Sequence, residues 1–489
     1  MLVTALSSLR ARFRHDRPLW LLLPGLVLFI TGRVIQVMDY SPLKCCFDSS
    51  TYAYRGDPLL DRGELVSFVG HSPRLWGAPA LYALFDSDPP RVLAQWTIAT
   101  VAWIALAWVL FTTLRTAPAR LIAAYAVLLL GVQVRVANWD VVIITESLSV
   151  SLGVLTLAMF IRWADRRTRT SLVVMTVAAG WWTFTRPEIR VFVVVLGVCL
   201  AWMMWRDRSR VRAALPAVLV LILAVGWCSA IMPTVSRTFA GWSVTSLSLD
   251  EETLMFRLHR RIFPEPAYKQ VYESSLGMPS CPAMDAIADA NRPMSLFAKA
   301  YRSCPEFKAW GEANAASSSY RFALSAPRLY LAATADRLPD SVNSTTYGQI
   351  PRVVPYQVER AFFPDNGRVL PLMATGFVLL FGIALAFGGR RHRLLLASAV
   401  VLATSAASLV AGLMYAGSEF GRLGLQEALG IRTAAIILLA VAVEVTVLRW
   451  SRRATPDTAQ APNTAQAQDT AQAQDTAQAQ DTAGPAPAA

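Results

Sequence analysis

The sequence predicts an all-α polytopic membrane protein of about ten transmembrane helices with two long outward-facing loops. Three observations predict it. Hydrophobic residues make up 54% of the 489-residue chain and charged residues only 16%, against roughly 25% charged in soluble domains. Mean hydropathy is +0.40, so an aqueous fold of this size is excluded. Apolar stretches of membrane length recur along the chain, separated by short arginine clusters. The net charge of +13 therefore marks topology, and no nucleic-acid partner is expected.

The expected spans are Pro18–Val37, Val92–Leu114, Arg120–Val136, Val141–Trp163, Leu172–Thr185, Ile189–Trp205, Ala213–Met232, Val369–Phe387, Leu394–Tyr415 and Ala428–Leu448. The fifth is short for a full crossing, because Pro187 ends it. Arginines fill every second connection: Arg10 to Arg17, Arg115 and Arg120, Arg162 to Arg169, Arg206 to Arg212, Arg390 to Arg393, and Arg449 to Arg453. The positive-inside rule then places both termini in the cytoplasm of a cell inner or plasma membrane. The first span is too long for a cleaved signal peptide.

This divides the chain into a cytoplasmic N-terminus (1–17), a transmembrane module (18–232) containing a first outer loop (39–91), a large outer segment (233–368), C-terminal transmembrane helices (369–448) and a tail (449–489). The outer segment has helical stretches broken by prolines and is long enough for a small subdomain. From Thr458 the tail repeats TAQAPN and then TAQAQD, with no apolar face, and reads as disordered. The arginine- and alanine-rich composition points to a high-GC bacterium, in which the sequon at Asn343 carries no glycan.

Cys199 and Cys228 fall inside spans, as small apolar fillers. Cys45, Cys46, Cys281 and Cys304 fall on the oxidising side. Cys281 could pair with Cys304, or the first loop could be tied to the second, and spacing does not choose. It matches no zinc pattern.

Charge inside a span is expensive and is usually paired or functional. Arg33, Arg135, Asp140 and Glu146 all lie toward the outer side. Arg186, Glu188 and Arg190 cluster at an outer turn, and Arg422 and Arg432 flank the start of the last span. Arg135 and Glu146 could simply pair with each other, and Glu444, near the inner end, could pair with Arg449. A transporter would concentrate such groups at the midplane. Their gathering under the outer loops suits a site at the outer leaflet instead.

Three stretches resemble a known family. They are Asp48-Ser-Ser-Thr-Tyr52 followed by Gly70 to Pro79, then Asn138 to Ser149 with its Thr145-Glu146-Ser147, then Gly180 to Pro187 with its Arg186-Pro187. In order and topology they resemble the GT-C superfamily of polytopic glycosyltransferases, of the kind related to dolichyl-phosphate-mannose protein mannosyltransferases. The likeness covers about Pro18 to Met232. It departs from the family in the first loop, where the acids Asp39, Asp48, Asp57, Asp61 and Glu64 are separated rather than paired.

The resemblance implies transfer of a sugar, with inversion, from a polyprenyl-phosphate donor to a glycan, lipid or protein acceptor of the cell envelope. A carboxylate must take the acceptor's proton. Asp48 matches the family position, with Asp39 as runner-up and Tyr52 one helical turn on. The departing phosphate needs cationic donors. Arg74, Arg186 and Arg190 are candidates, with Arg422 or Arg432 as further ones, and His71 could bind the sugar. Asp140 and Glu146 could join Asp48 around a divalent cation, Mg or Mn; metal use varies within the superfamily, and the sequence leaves it open. Trp76, Trp139, Trp181, Trp182 and Trp242 could stack on sugars or form an interfacial belt. Two other readings compete: a polymerase or ligase of lipid-linked glycans, to which Arg352, Arg360 and Arg368 would contribute, and a non-catalytic lipid or polysaccharide exporter.

Overall fold

The computed structural model describes residues 17–38, 47–52, 73–207, 211–243, 245–287, 293–343, 350–364, 366–387, 393–415 and 420–454. Every regular element among them is helical. The elements in order are α1 (Arg17–Met38), α2 (Phe47–Tyr52), α3 (Gly77–Tyr82), α4 (Asp88–Thr113), α5 (Ala117–Gly131), α6 (Val134–Ala137), a 3-10 turn (Asn138–Val141), α7 (Glu146–Arg166), α8 (Arg169–Thr183), α9 (Ile189–Arg206) and α10 (Val211–Phe239). There follow α11 (Leu249–Arg257), a π-helical turn (Leu258–Ile262), α12 (Pro266–Leu276), α13 (Pro282–Asp285), α14 (Met294–Ser303), α15 (Pro305–Asn314), α16 (Ser318–Ser325), α17 (Pro327–Ala335), α18 (Leu338–Val342), α19 (Tyr356–Phe362), α20 (Asn366–Ala386), α21 (Arg393–Tyr415), α22 (Phe420–Leu423) and α23 (Leu425–Ala454).

Among the described residues, seven helices are long and apolar enough to cross a membrane: α1, α4, α7, α9, α10, α21 and α23. The pair α5–α6, bent by 55°, makes an eighth if taken as one span. The expected count of ten is not reached. The segment expected at Leu172–Thr185 lies in α8, which has only 15 residues, and about 20 are needed to cross the hydrocarbon core. The apolar part of α20, Pro371–Ala386, is also short of a span.

The bend after α5 shapes the interior. Gly131 sits against the Trp103 ring of α4, where a Cβ would lie 2.7 Å from the indole. Carbonyls freed at the bend need donors at this depth. Gln36 of α1 donates to Val132 O at 2.9 Å, and Gln95 of α4 donates to Asp140 O at 2.7 Å and Val142 O at 2.9 Å. The buried Tyr82 hydroxyl lies 2.6 Å from Ile144 O. Side chains of three helices thus hold residues 132–145 in an irregular path that delivers Glu146 to the first turn of α7.

The 245–335 region has a hydrophobic core of its own, centred on Leu254, Leu258, Phe297, Tyr301, Phe307 and Phe322. A capping box of Ser248 and Glu251 starts α11. Cys281 is bonded to Cys304, which resolves the pairing left open by the sequence. Arg261 fastens this subdomain to the bundle, donating to Leu413 O of α21 at 2.6 Å and to Ala333 O of α17 at 2.8 Å. Both carbonyls lie in last turns of helices, where a cation is favoured.

Near the other end of the bundle, Glu444 accepts from the backbone N–H of Arg115 at 2.8 Å, and Arg449 donates to Ala386 O at 3.0 Å. The loop closed by the Cys281–Cys304 bond spans 23 residues, so opening it should destabilise the subdomain by about 3 kcal/mol. A Cys281→Ser, Cys304→Ser protein should show faster amide exchange across α11–α16 with the α4–α7 core unaffected. Equal protection in both proteins would contradict this.

Candidate functional site

The site is built where three short elements meet the ends of α7 and α23. In α2, Asp48 stands in the first turn and Thr51 and Tyr52 close the helix. Arg74 follows shortly before α3. That helix is pinned at Gly77, whose N–H donates to Phe184 O at 2.9 Å and whose carbonyl accepts from Trp181 Nε1 at 2.8 Å. A Cβ at Gly77 would stand 2.6 Å from Phe184 O, so only glycine permits this approach. Trp76 and Phe184 stack at 4.5 Å beside it. The contact sets Arg74 in register with the turn that carries Arg186.

Arg422 is the centre. Its Nη2 donates to Asp48 Oδ2 at 2.5 Å and its Nε to Glu146 Oε1 at 2.6 Å. Arg74 donates through Nη2 to Asp48 Oδ1 and through Nε to Thr51 Oγ1 at 2.9 Å. Its guanidinium also lies over the rings of Tyr52 and Phe239, at 5.0 and 4.9 Å. One carboxylate is therefore gripped by two arginines, one of which reaches a second carboxylate. Charge-assisted bonds of this kind are the strong ones.

Burial alone would raise the Asp48 carboxyl, but Arg74 and Arg422 outweigh it and hold the group below the usual carboxylate range. Burial pushes the Tyr52 hydroxyl up to about 12, so it stays protonated at neutral pH. For Arg186, burial opposes the charge, and the carboxylates of Glu188, Glu146 and Glu427 more than offset it, raising the guanidinium. Arg186 also donates to Leu423 O at 3.2 Å, next to Arg422. Glu146 Oε2 is buried without a hydrogen-bond partner among the described residues, an acceptor suited to a hydroxyl from outside the protein.

Asp48, Tyr52, Arg74, Glu146 and Arg186 thus fall in one neighbourhood. Asp140 belongs to an adjoining layer: Arg33 holds it at 2.6 Å and Ser147 donates to its other oxygen. Arg190 turns to Pro187 O at 2.8 Å and Ser229 Oγ at 3.0 Å. Asp39 and His71 lie outside the described residues, as do Asp57, Asp61, Glu64, Cys45 and Cys46. Arg135 and Glu146 do not pair with each other: Arg135 meets Glu359 at 3.1 Å and Glu146 meets Arg422. Arg432 donates to Phe362 O at 2.8 Å. Among the described residues no group of three Asp, Glu, His or Cys side chains is arranged to hold a metal ion. The acids suggested for one are occupied by guanidiniums.

Residues that the sequence did not single out complete the site. Thr51 positions Arg74. Gln426, one turn beyond Arg422, accepts from Ser149 Oγ at 3.0 Å, and Ser149 also receives Trp182 Nε1 at 3.2 Å and Thr185 Oγ1 at 3.1 Å. Their signal was the spacing Glu146, Ser149 at i and i+3 in the first turn of α7, and the polar pair Arg422 and Gln426 on either side of the α22–α23 junction.

Beyond Gln426 lies an apolar cavity of about 100 Å³. Val150, Val154, Leu157 and Phe160 of α7, Leu196 of α9 and Val400 of α21 line it. It follows α7 away from Glu146 for about 15 Å of helix.

No protein-family model matches the chain, and no match was found among curated proteins.

Removing Arg422 would leave two carboxylates without their shared cation, which for a buried pair costs about 3–5 kcal/mol. Arg422→Met should melt well below wild type. The acid limb should move as well. A carboxyl lowered in the folded state adds stability above its unfolded value and loses it as pH falls through the folded value. Without Arg422 the Asp48 value rises, so the acid-side fall in melting temperature should begin at higher pH than in wild type. Identical acid limbs would contradict the pairing.

Proposed function

We propose that the chain is a membrane glycosyltransferase of GT-C type that moves a sugar from a polyprenyl-phosphate donor to a cell-envelope acceptor at the outer face of the membrane. The observation that carries this reading is a two-arginine, two-carboxylate cluster with an apolar cavity along α7 whose lining starts at Val150 and Gln426, about one turn on from Glu146 and Arg422. A lipid phosphate has these two needs: cations for its head and an apolar path for its chain. The outward placement of the 233–368 segment and of the site rests on the alternation of the arginine clusters, and it requires the α8 and α20 segments to cross the membrane as well.

The chemistry follows from the groups in place. The acceptor hydroxyl gives its proton to Asp48 as its oxygen forms a bond to the anomeric carbon. The bond from that carbon to the phosphate oxygen breaks, and the electron pair leaves on the polyprenyl phosphate, inverting the centre. Negative charge grows on the phosphate, and in this reading Arg74 and Arg422, the two cations beside Asp48, stabilise it. In their grip Asp48 is a weak base. The donor phosphate competes for the same guanidiniums, so arrival of the donor loosens Asp48 and raises its basicity. In this reading Glu146 and the protonated Tyr52 orient sugar hydroxyls, and Arg186, bonded to Leu423 O, supports the charge balance.

Membranes containing the protein should transfer labelled sugar from a polyprenyl phosphate to an envelope acceptor. Asp48→Asn should lower the rate by about 10²–10⁴-fold, the typical contribution of a general base, with the protein folded as judged by its melting temperature. Undiminished transfer by a folded Asp48→Asn protein would remove Asp48 as base. Absence of transfer from every lipid-phosphate donor would count against the assignment and favour the exporter reading.

A further inference from the structure

The hairpin of α16 and α17 presents an apolar edge that its own subdomain does not cover. Tyr320 and Leu324, one turn apart on α16, are 62% and 84% exposed, and Leu331 of α17 is 58% exposed. On their opposite faces the same helices bury Ser318, Phe322, Ala333 and Thr334, so the edge is the outer side of an amphipathic pair. In water, three large exposed apolar side chains on two adjacent short helices are unfavourable, at about 25 cal/mol per Å² of apolar area.

Two hydrogen bonds set the height of this hairpin on the bundle. The Tyr330 hydroxyl of α17 donates to Val410 O at 3.0 Å, and Arg261, which also holds Ala333 O of α17, donates to Leu413 O at 2.6 Å. The membrane-crossing part of α21 runs from Arg393 to Leu413, about 30 Å at 1.5 Å per residue, which matches the hydrocarbon thickness. Val410 lies about 5 Å inside the end of that span. The hairpin is therefore tied to the end of α21, beside the boundary expected between hydrocarbon and headgroups. Arg321 and Arg328 are exposed on the same two helices, where they can meet lipid phosphates while Tyr320 takes the interfacial position that aromatics favour.

We propose that the α16–α17 hairpin is a membrane-docking element that seats Tyr320, Leu324 and Leu331 in the lipid leaflet on the side of the 233–368 segment. The occupant of the edge is lipid, because the hairpin that carries it is bonded to the last turns of a helix long and apolar enough to cross the membrane. Such docking fixes the subdomain at the interface as an in-plane amphipathic pair does. It does not depend on the transferase reading.

The test uses the full-length protein in liposomes of phosphatidylethanolamine and phosphatidylglycerol. An environment-sensitive fluorescent amino acid replaces Leu324, Leu331 or, as control, Glu312, an exposed residue of α15, which packs on α11 and α14. With doxyl-labelled lipid, quenching at positions 324 and 331 should exceed that at 312 by about twofold or more, with blue-shifted emission. Equal quenching at the three positions would overturn the proposal. So would blue-shifted emission at 324 that lipid quenchers leave untouched, since that would mean a protein partner covers the edge.

Discussion

The guanidinium of Arg422 is the interaction on which the rest of the site depends. It joins Asp48 from the first loop to Glu146 at the head of α7, across 374 and 276 residues of sequence. Without a cation between them, two carboxylates at this depth would repel each other and each would lose its hydration. With it, three distant parts of the chain are fixed against one another. Arg74 adds a second cation to Asp48, and its own place is set by Gly77 against Phe184. The constraint runs from backbone packing at a glycine to the charge state of a carboxylate.

An arrangement built this way is balanced in charge, with Arg74 and Arg422 set against Asp48 and Glu146. Asp48 faces two guanidiniums, and Arg186 sits nearby among Glu146, Glu188 and Glu427. An anionic ligand would have to take a guanidinium from Asp48, as the proposed donor phosphate does. The adjoining cavity is almost wholly apolar, so the ligand that suits both is amphiphilic. This is the physical content of the lipid-phosphate reading. It also accounts for the polar seam of Ser149, Trp182, Thr185 and Gln426 between the two regions, which satisfies the hydrogen-bonding groups where charge gives way to hydrocarbon.

Much of the helical framework was legible in the sequence because hydropathy is a local property. The spans at α1, α4, α7, α9, α10, α21 and α23 lie where the apolar runs put them. The count was overstated where apolar character outran helix length, as in α8, where Thr183 ends the helix just ahead of Pro187. The acids and arginines of the site were legible as charges that the membrane would not tolerate alone. Their pairing was not, since pairing depends on how distant segments meet. Arg135 and Glu146 are 11 positions apart and suggest a bond, yet each finds its partner more than 200 residues away. Arg422 and Arg432 looked equivalent at the start of the last span. Only the fold separates them, sending Arg422 to two carboxylates and Arg432 to the carbonyl of Phe362.

Under the proposed function, Arg422 and Arg74 form an anion seat for a lipid phosphate that Asp48 occupies in its absence. The most direct measurement is the affinity of sugar-free polyprenyl phosphate for the purified protein, compared between wild type and Asp48→Asn. Removing the competing carboxylate charge should tighten binding, by about tenfold for each 1.4 kcal/mol of competition relieved, while the corresponding uncharged polyprenol binds both proteins alike. Equal or weaker binding of the phosphate by Asp48→Asn would contradict the account.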